Sequence, residues 1–160
     1  MSLVNTKEIE KDIYSTFAGI ANSIGYSEIH GRIIGALLVG GKTLSLQELA
    51  KKTGYSPSTL SLSLDLLEFL GMIKKVKEVG DRRLYVELNG DLLGGLKKAF
   101  VIRIQKSVTE TLKNFEEYKG LLESSSDPEK EKVMKSLNIL EREVKRVDKY
   151  INLLSKLRLP

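Results

Sequence analysis

Ser45-Leu46-Gln47-Glu48-Leu49-Ala50-Lys51-Lys52-Thr53-Gly54-Tyr55-Ser56-Pro57-Ser58-Thr59-Leu60-Ser61-Leu62-Ser63-Leu64 carries more structural punctuation than any other part of this chain. Ser45 followed by Glu48 has the spacing of a capping box, and Leu44 with Leu49 that of a hydrophobic staple, so a helix starts here at a set angle. Gly54, free to take positive φ, ends it. Ser56 then caps a second helix and Pro57 occupies its first turn, where a missing N–H costs nothing. Leu60, Leu64, Leu67 and Leu70 recur at steps of four, three and three, the buried stripe of that second helix. Two short capped helices around a tight glycine turn make a helix-turn-helix.

Gly71 closes the motif, and Met72 to Glu78 reads as a strand. A turn at Val79-Gly80-Asp81 returns the chain as a partner strand, Arg82 to Leu88. This hairpin is a wing, and its cations, Lys74, Lys75, Lys77, Arg82 and Arg83, outnumber Glu78 and Asp81. Such a run is ordinarily a solvated face; directly behind a helix-turn-helix it points to DNA, because a wing-tip arginine can enter the minor groove where its negative potential deepens. Asp81 is placed to orient Arg82 or Arg83. The N-terminal residues of the second helix in such a motif meet base edges and phosphates, which selects Ser58, Thr59 and Ser61. Leu62, Leu66 and Phe69 form another apolar stripe opposite the first. Packing against another part of the same chain is its simplest explanation, and a second subunit is the other.

Outward from this centre, Ile9, Ile13, Phe17, Ile20 and Ile24 form one face of a helix from about Asn5 to Ile24, stopped by Gly25. That face serves the core or a dimer seam equally well. Ser27 is placed to cap a helix in which Gly31 and Gly35 lie four apart; a glycine repeated on one helix face suggests close approach by a neighbour. Thr43-Leu44 can bridge to the wing. After the turn at Asn89-Gly90, Asp91 caps a long helix whose apolar face reaches Leu122. Ser124-Ser125-Ser126 breaks it, and Asp127-Pro128 starts another. Val133, Leu137, Leu140, Val144, Val147, Ile151 and Leu154 then alternate at steps of four and three, a heptad seam. This pair of helices is a hairpin within one chain, a dimerisation element, or both. The chain therefore divides into an N-terminal helix (5–26, dimerisation or core), a winged helix-turn-helix DNA-binding domain (27–90) and a C-terminal helical hairpin for dimerisation (91–158). The fold class is mainly α with a small β-hairpin wing (α+β), a winged helix-turn-helix with long N- and C-terminal dimerisation helices.

Of 160 residues, 41% are hydrophobic, enough for a folded core. The net charge of +5 suits an anionic partner without requiring one. With no cysteine and one histidine, disulfides, thiolate metal sites and most acid–base constellations are excluded, and a reducing cytoplasm fits. Gly40-Gly41-Lys42-Thr43 is not a phosphate loop, because Ala36 stands where its first glycine belongs and the preceding segment reads as helix. No catalytic residue, metal site or cofactor is expected, and the chain is not expected to be an enzyme. No apolar run approaches a membrane span and no secretory signal is legible, so no membrane partner is expected. Met1-Ser2-Leu3 reads as an expression remnant.

Gly31-Arg32-Ile33-Ile34-Gly35-Ala36-Leu37-Leu38, Leu44 to Ala50, Tyr55 to Leu64, Leu67-Glu68-Phe69-Leu70-Gly71 and Gly80-Asp81-Arg82-Arg83 together resemble the MarR-like winged-helix transcriptional regulators, in their GbsR branch. The resemblance spans about Ser27 to Leu88, and helix order extends it over nearly the whole chain. It implies a cytoplasmic homodimer joined through its terminal helices, binding double-stranded DNA at a pseudo-palindromic operator, with a small-molecule effector open. It also assigns Ser56, Ser58, Thr59 and Ser61 to the recognition helix and Arg82 or Arg83 to the wing, where the charge of the hairpin adds Lys77 as a DNA-contact candidate. One departure stands out: no Arg, Lys, Asn or Gln occurs between Ser56 and Phe69, so bidentate reading of guanine or adenine is not available to that helix. The alternative is a winged-helix protein–protein interaction module without specific DNA binding.

Overall fold

The computed structural model describes residues 3–160; Met1 and Ser2 lie outside them. In chain order the elements are α1 (Thr6–Ser23), α2 (Glu28–Val39), β1 (Thr43–Ser45), α3 (Leu46–Thr53), α4 (Pro57–Phe69), β2 (Ile73–Val76), β3 (Tyr85–Leu88), α5 (Leu92–Glu123) and α6 (Lys130–Lys156). The residues form two compact units, one ending at Leu96 and one spanning Lys97–Pro160.

In the first unit, Ile33 and Leu37 of α2, Leu49 of α3, Leu60 and Leu64 of α4 and Val86 of β3 are fully buried in one core. At two glycines of α2 the backbone of α1 comes unusually close. A Cβ at Gly31 would stand 2.0 Å from the Phe17 carbonyl oxygen and 2.6 Å from the Ala18 nitrogen, and one at Gly35 3.3 Å from the Tyr14 Cα. The paired glycines thus admit the backbone of α1, as their spacing suggested. This contact shifts the buried face of α1. Tyr14, Ala18 and Ala21 are buried; Ile13 and Phe17 are half-buried against the core, whereas Ile9 and Ile20 stay 47% and 43% exposed. Ser27 stands at the N-cap of α2, but its hydroxyl makes no capping hydrogen bond.

The sheet is antiparallel with order β1-β3-β2. Leu44 pairs with Val86 and Ser45 with Tyr85 on one side of β3; Lys75 pairs with Val86 and Val76 with Tyr85 on the other. Both wing strands are shorter than the sequence pattern predicted, leaving 77–84 as a loop. Gly80, at φ 84°, turns the chain, and the Arg83 N–H donates to the Asp81 carboxylate at 2.9 Å. A side-chain acceptor has there replaced a partner strand.

In the second unit α5 and α6 run antiparallel: Lys97 donates to the Leu157 carbonyl, Gln105 to the Asn152 side chain at 3.4 Å, and Lys119 to Glu141. Lys119, and then Lys145, hold the Glu141 carboxyl down at about 2. α6 begins later than Asp127-Pro128 suggested. Asp127 caps the preceding turn by accepting from the Glu129 N–H at 2.8 Å, and the helix starts at Lys130. Its heptad seam is divided. Leu137 and Ile151 are buried and Val144 half-buried, but Val133, Leu140 and Val147 are 45%, 50% and 44% exposed.

Candidate nucleic-acid interface

The helix-turn-helix is assembled by its caps. The Glu48 N–H donates to the Ser45 hydroxyl at 3.1 Å and the Ser45 N–H to the Glu48 carboxylate at 2.8 Å, a complete capping box. That second bond holds the Glu48 carboxyl below the usual carboxylate range. Gly54 ends α3 at φ 78°, in the left-handed region. Ser56 caps α4 by accepting from the Thr59 N–H at 3.2 Å. Leu60, Leu64 and Leu67 turn inward as their spacing predicted.

Ser56, Ser58, Thr59 and Ser61 are all exposed, at the N-terminal end of α4. Their hydroxyls are engaged with one another and with the helix. The Ser56 hydroxyl lies 3.1 Å from that of Ser58 and 2.8 Å from that of Thr59, while Ser61 donates to the Pro57 carbonyl at 3.0 Å. Ser56 is therefore the hub of the cap, and three of its hydrogen-bonding directions are already used.

The wing cations separate into two groups. Arg83 is pinned: its Nε lies 3.1 Å from each Asp81 carboxylate oxygen, its Nη2 lies 2.9 Å from one of them, and its guanidinium sits 5.6 Å from the centre of the Tyr85 ring. Tyr85 adds a 3.3 Å hydrogen bond from its hydroxyl to Asp81. The Arg83 contacts hold the Asp81 carboxyl at about 2, and the same pair raises Arg83 above its ordinary value. Of the two arginines Asp81 was placed to orient, it is Arg83 that it holds. Lys75 is also engaged, through Asp65 and Glu68 of α4. By contrast Lys77 and Arg82 are exposed and make no ion pair or hydrogen bond among the described residues. Lys74 is exposed opposite Glu87 in the ladder, likewise without an ion pair there.

One feature of this surface was not foreseen. Leu62, assigned to internal packing, is 78% exposed, and Leu66 is only half-buried. The helical wheel set Leu62 opposite the core stripe, but periodicity does not say whether another element covers it. Among the described residues no group of three or more His, Cys, Asp or Glu side chains is arranged to hold a metal, and no helix is long and apolar enough to cross a membrane.

Residues 24–84, which include α2, the helix-turn-helix and the wing up to Leu84, match the model of the MarR family. Over these residues the chain is similar to that family. Among solved structures, the fold is similar to that of one described as a transcriptional regulator, at 21% identity and a TM-score of 0.55, over 92% of this chain and 99% of that one. More distant likenesses include NadR in complex with 4-hydroxyphenylacetate (21% identity, TM-score 0.43, 91% of this chain and 96% of that one). BldR from Sulfolobus solfataricus is similar at 21% identity and a TM-score of 0.42, over 86% of this chain and 92% of that one. No curated protein matches the chain.

Proposed function

We propose that this protein is a transcriptional regulator that binds double-stranded DNA as a homodimer, with α4 in the major groove and the wing on the flanking backbone. The observation that carries this reading is the wing tip. Lys77 and Arg82 extend without protein partners from a MarR-like domain, while the bidentate Asp81–Arg83 pair shapes the loop that presents them. Arg83 keeps 58% of its side chain exposed, so it can touch a phosphate while remaining held. Ser58, Thr59 and Ser61 supply short hydroxyl contacts that let the helix approach closely.

Homodimerisation is supported by the open half of the α6 seam, where Val133, Leu140 and Val147 recur every seven residues with Tyr150 and Leu153 nearby, both 65% exposed. Two copies would read half-sites about one helical turn, ~34–36 Å, apart on a pseudo-palindromic operator. The GbsR assignment, a cytoplasmic location and response to a small-molecule effector complete the proposal and rest on the sequence resemblance.

The test is binding to duplex DNA from the protein's own upstream region across a salt series. Lys77→Ala and Arg82→Ala should each weaken binding to all sequences alike and lower the slope of log affinity on log salt by about one. Unchanged slopes would remove the wing from the interface. No retention of any duplex at low salt would overturn the DNA reading and favour a protein-interaction module, the second reading, which the exposed Leu62 supports.

A further inference from the structure

We infer that Leu62 is a base-reading residue whose side chain recognises the C5-methyl group of thymine in the major groove; the inference rests on the DNA-binding reading above. α4 advances about 100° and 1.5 Å per residue, so Leu62 lies one turn, about 6 Å, beyond Ser58 on the outward face. Leu60, Leu64 and Leu67, at 0%, 0% and 2% exposure, define the opposite face. Ser58, Ser61, Leu62 and Asp65 therefore form the ridge that a groove would meet first.

Elimination on this ridge leaves little else to carry sequence information. No long hydrogen-bonding side chain other than a carboxylate occurs between Ser56 and Phe69, and the hydroxyls of Ser56, Ser58, Thr59 and Ser61 are engaged locally. Leu62 is the side chain with reach, and thymine is the base that presents an apolar group in the major groove.

The electrostatics agree. Asp65 and Glu68 are exposed on α4 and would repel a phosphate backbone, but Lys75 pairs with both, and its N–H donates to Glu68 at 3.2 Å. Lys75 offsets one of the two carboxylates and so lowers that repulsion, while Lys51, Lys52, Lys77 and Arg82 are exposed on the same unit. An exposed leucine on the helix that precedes a wing presenting the unpaired cations Lys77 and Arg82 is matched to the polyanion that carries methyl groups in its groove.

The experiment selects bound duplexes from a random pool, then rebuilds the enriched site with each thymine replaced in turn by deoxyuridine. That change removes the methyl and keeps the hydrogen-bonding edge. One or two thymines per half-site should each lose about fourfold in affinity with the wild-type protein, the worth of one buried methyl-sized group. Leu62→Ala should bind the unmodified site correspondingly more weakly and no longer distinguish thymine from deoxyuridine, while Leu62→Met should retain the distinction. Because Leu62 is exposed, an unchanged melting temperature will show that each variant is folded. Indifference of the wild-type protein to every replacement overturns the inference, as does failure to enrich any sequence. It is also overturned if Leu62→Ala keeps the discrimination, which assigns the effect to groove shape, or if it alters only self-association, which gives the surface to a second copy. Failure to retain any duplex at low salt removes the underlying DNA reading itself.

Discussion

The two units of this chain bury their apolar residues differently. Up to Leu96, helices and sheet close over one core whose central side chains are at or near zero exposure. From Lys97 onward, two helices run side by side and leave Leu121, Tyr150 and Leu153 at 65–69% exposure, with Ile139 and Leu140 at 52% and 50%. Apolar surface left in water forgoes about 25 cal/mol per Å². The first unit has recovered that free energy at its centre, with Leu62 and Phe69 of α4 left out at 78% and 62% exposure; the second, with no such centre, has recovered less of it. If the proposed function holds, the closed core serves as a rigid reader and the open helix pair as the surface that spaces two of them.

Four measurements test the contrast, beginning with the largest effect. Leu64→Ala, at a fully buried position, should cost about 2–5 kcal/mol in a urea melt, whereas Val147→Ala in α6 should move the stability of the isolated chain by no more than about 0.5 kcal/mol. Comparable losses would show that the second unit is as closed as the first. Next, Gly31→Ala places a Cβ against the backbone of α1 and should cost about 3 kcal/mol. Gly19→Ala, with nothing within 4 Å of the new atom, should instead stabilise by about 0.5–1 kcal/mol. The third concerns association. Leu140→Ser combined with Val147→Ser should weaken self-association at least tenfold in sedimentation equilibrium, ~1.4 kcal/mol, while leaving the melting of dilute protein nearly unchanged.

The smallest effect is sought at the wing. Asp81 has its pKa lowered from 3.8 to about 2, so its contribution to loop order is complete above about pH 4 and is lost as pH falls through about 2. An NMR titration of the Asp81 carboxyl should give a midpoint near 2, moving to the ordinary range in Arg83→Ala. A midpoint near 3.8 in the unmodified protein would mean that the pair does not hold the loop.

What was legible in the sequence follows from how far each determinant reaches along the chain. Caps are local: Ser45 with Glu48, Gly54 and Ser56 with Pro57 act within four residues, and each appears in the structure where its spacing placed it. The close approach at Gly31 was also readable, because a glycine in a helix needs a reason. Side-chain competition for the backbone was not: Asp81 captured the Arg83 N–H and shortened the wing strands. Periodicity likewise identified the apolar positions of α1 and α6 but not how many of them one neighbour covers. Hence Ile20 remains exposed beside half-buried members of its pattern, and Leu140 beside the buried Leu137 and Ile151 of its own. At the candidate interface, the positions of the hydroxyls were readable, but their mutual hydrogen bonds and the exposure of Leu62 depend on what surrounds α4, which no local pattern encodes.

The three-stranded sheet has one more consequence. β3 is clamped between β1 and β2, and Ser45 is at once the last residue of β1 and the cap of α3. The root of the wing is thus welded to the helix-turn-helix, while 77–84 hangs from it with its own internal fastening. That loop is a cassette in charge: the exposed Lys77 and Arg82 can be rewritten without disturbing the frame, to which Leu84 fastens the loop's end by accepting from the Leu46 N–H at 2.9 Å.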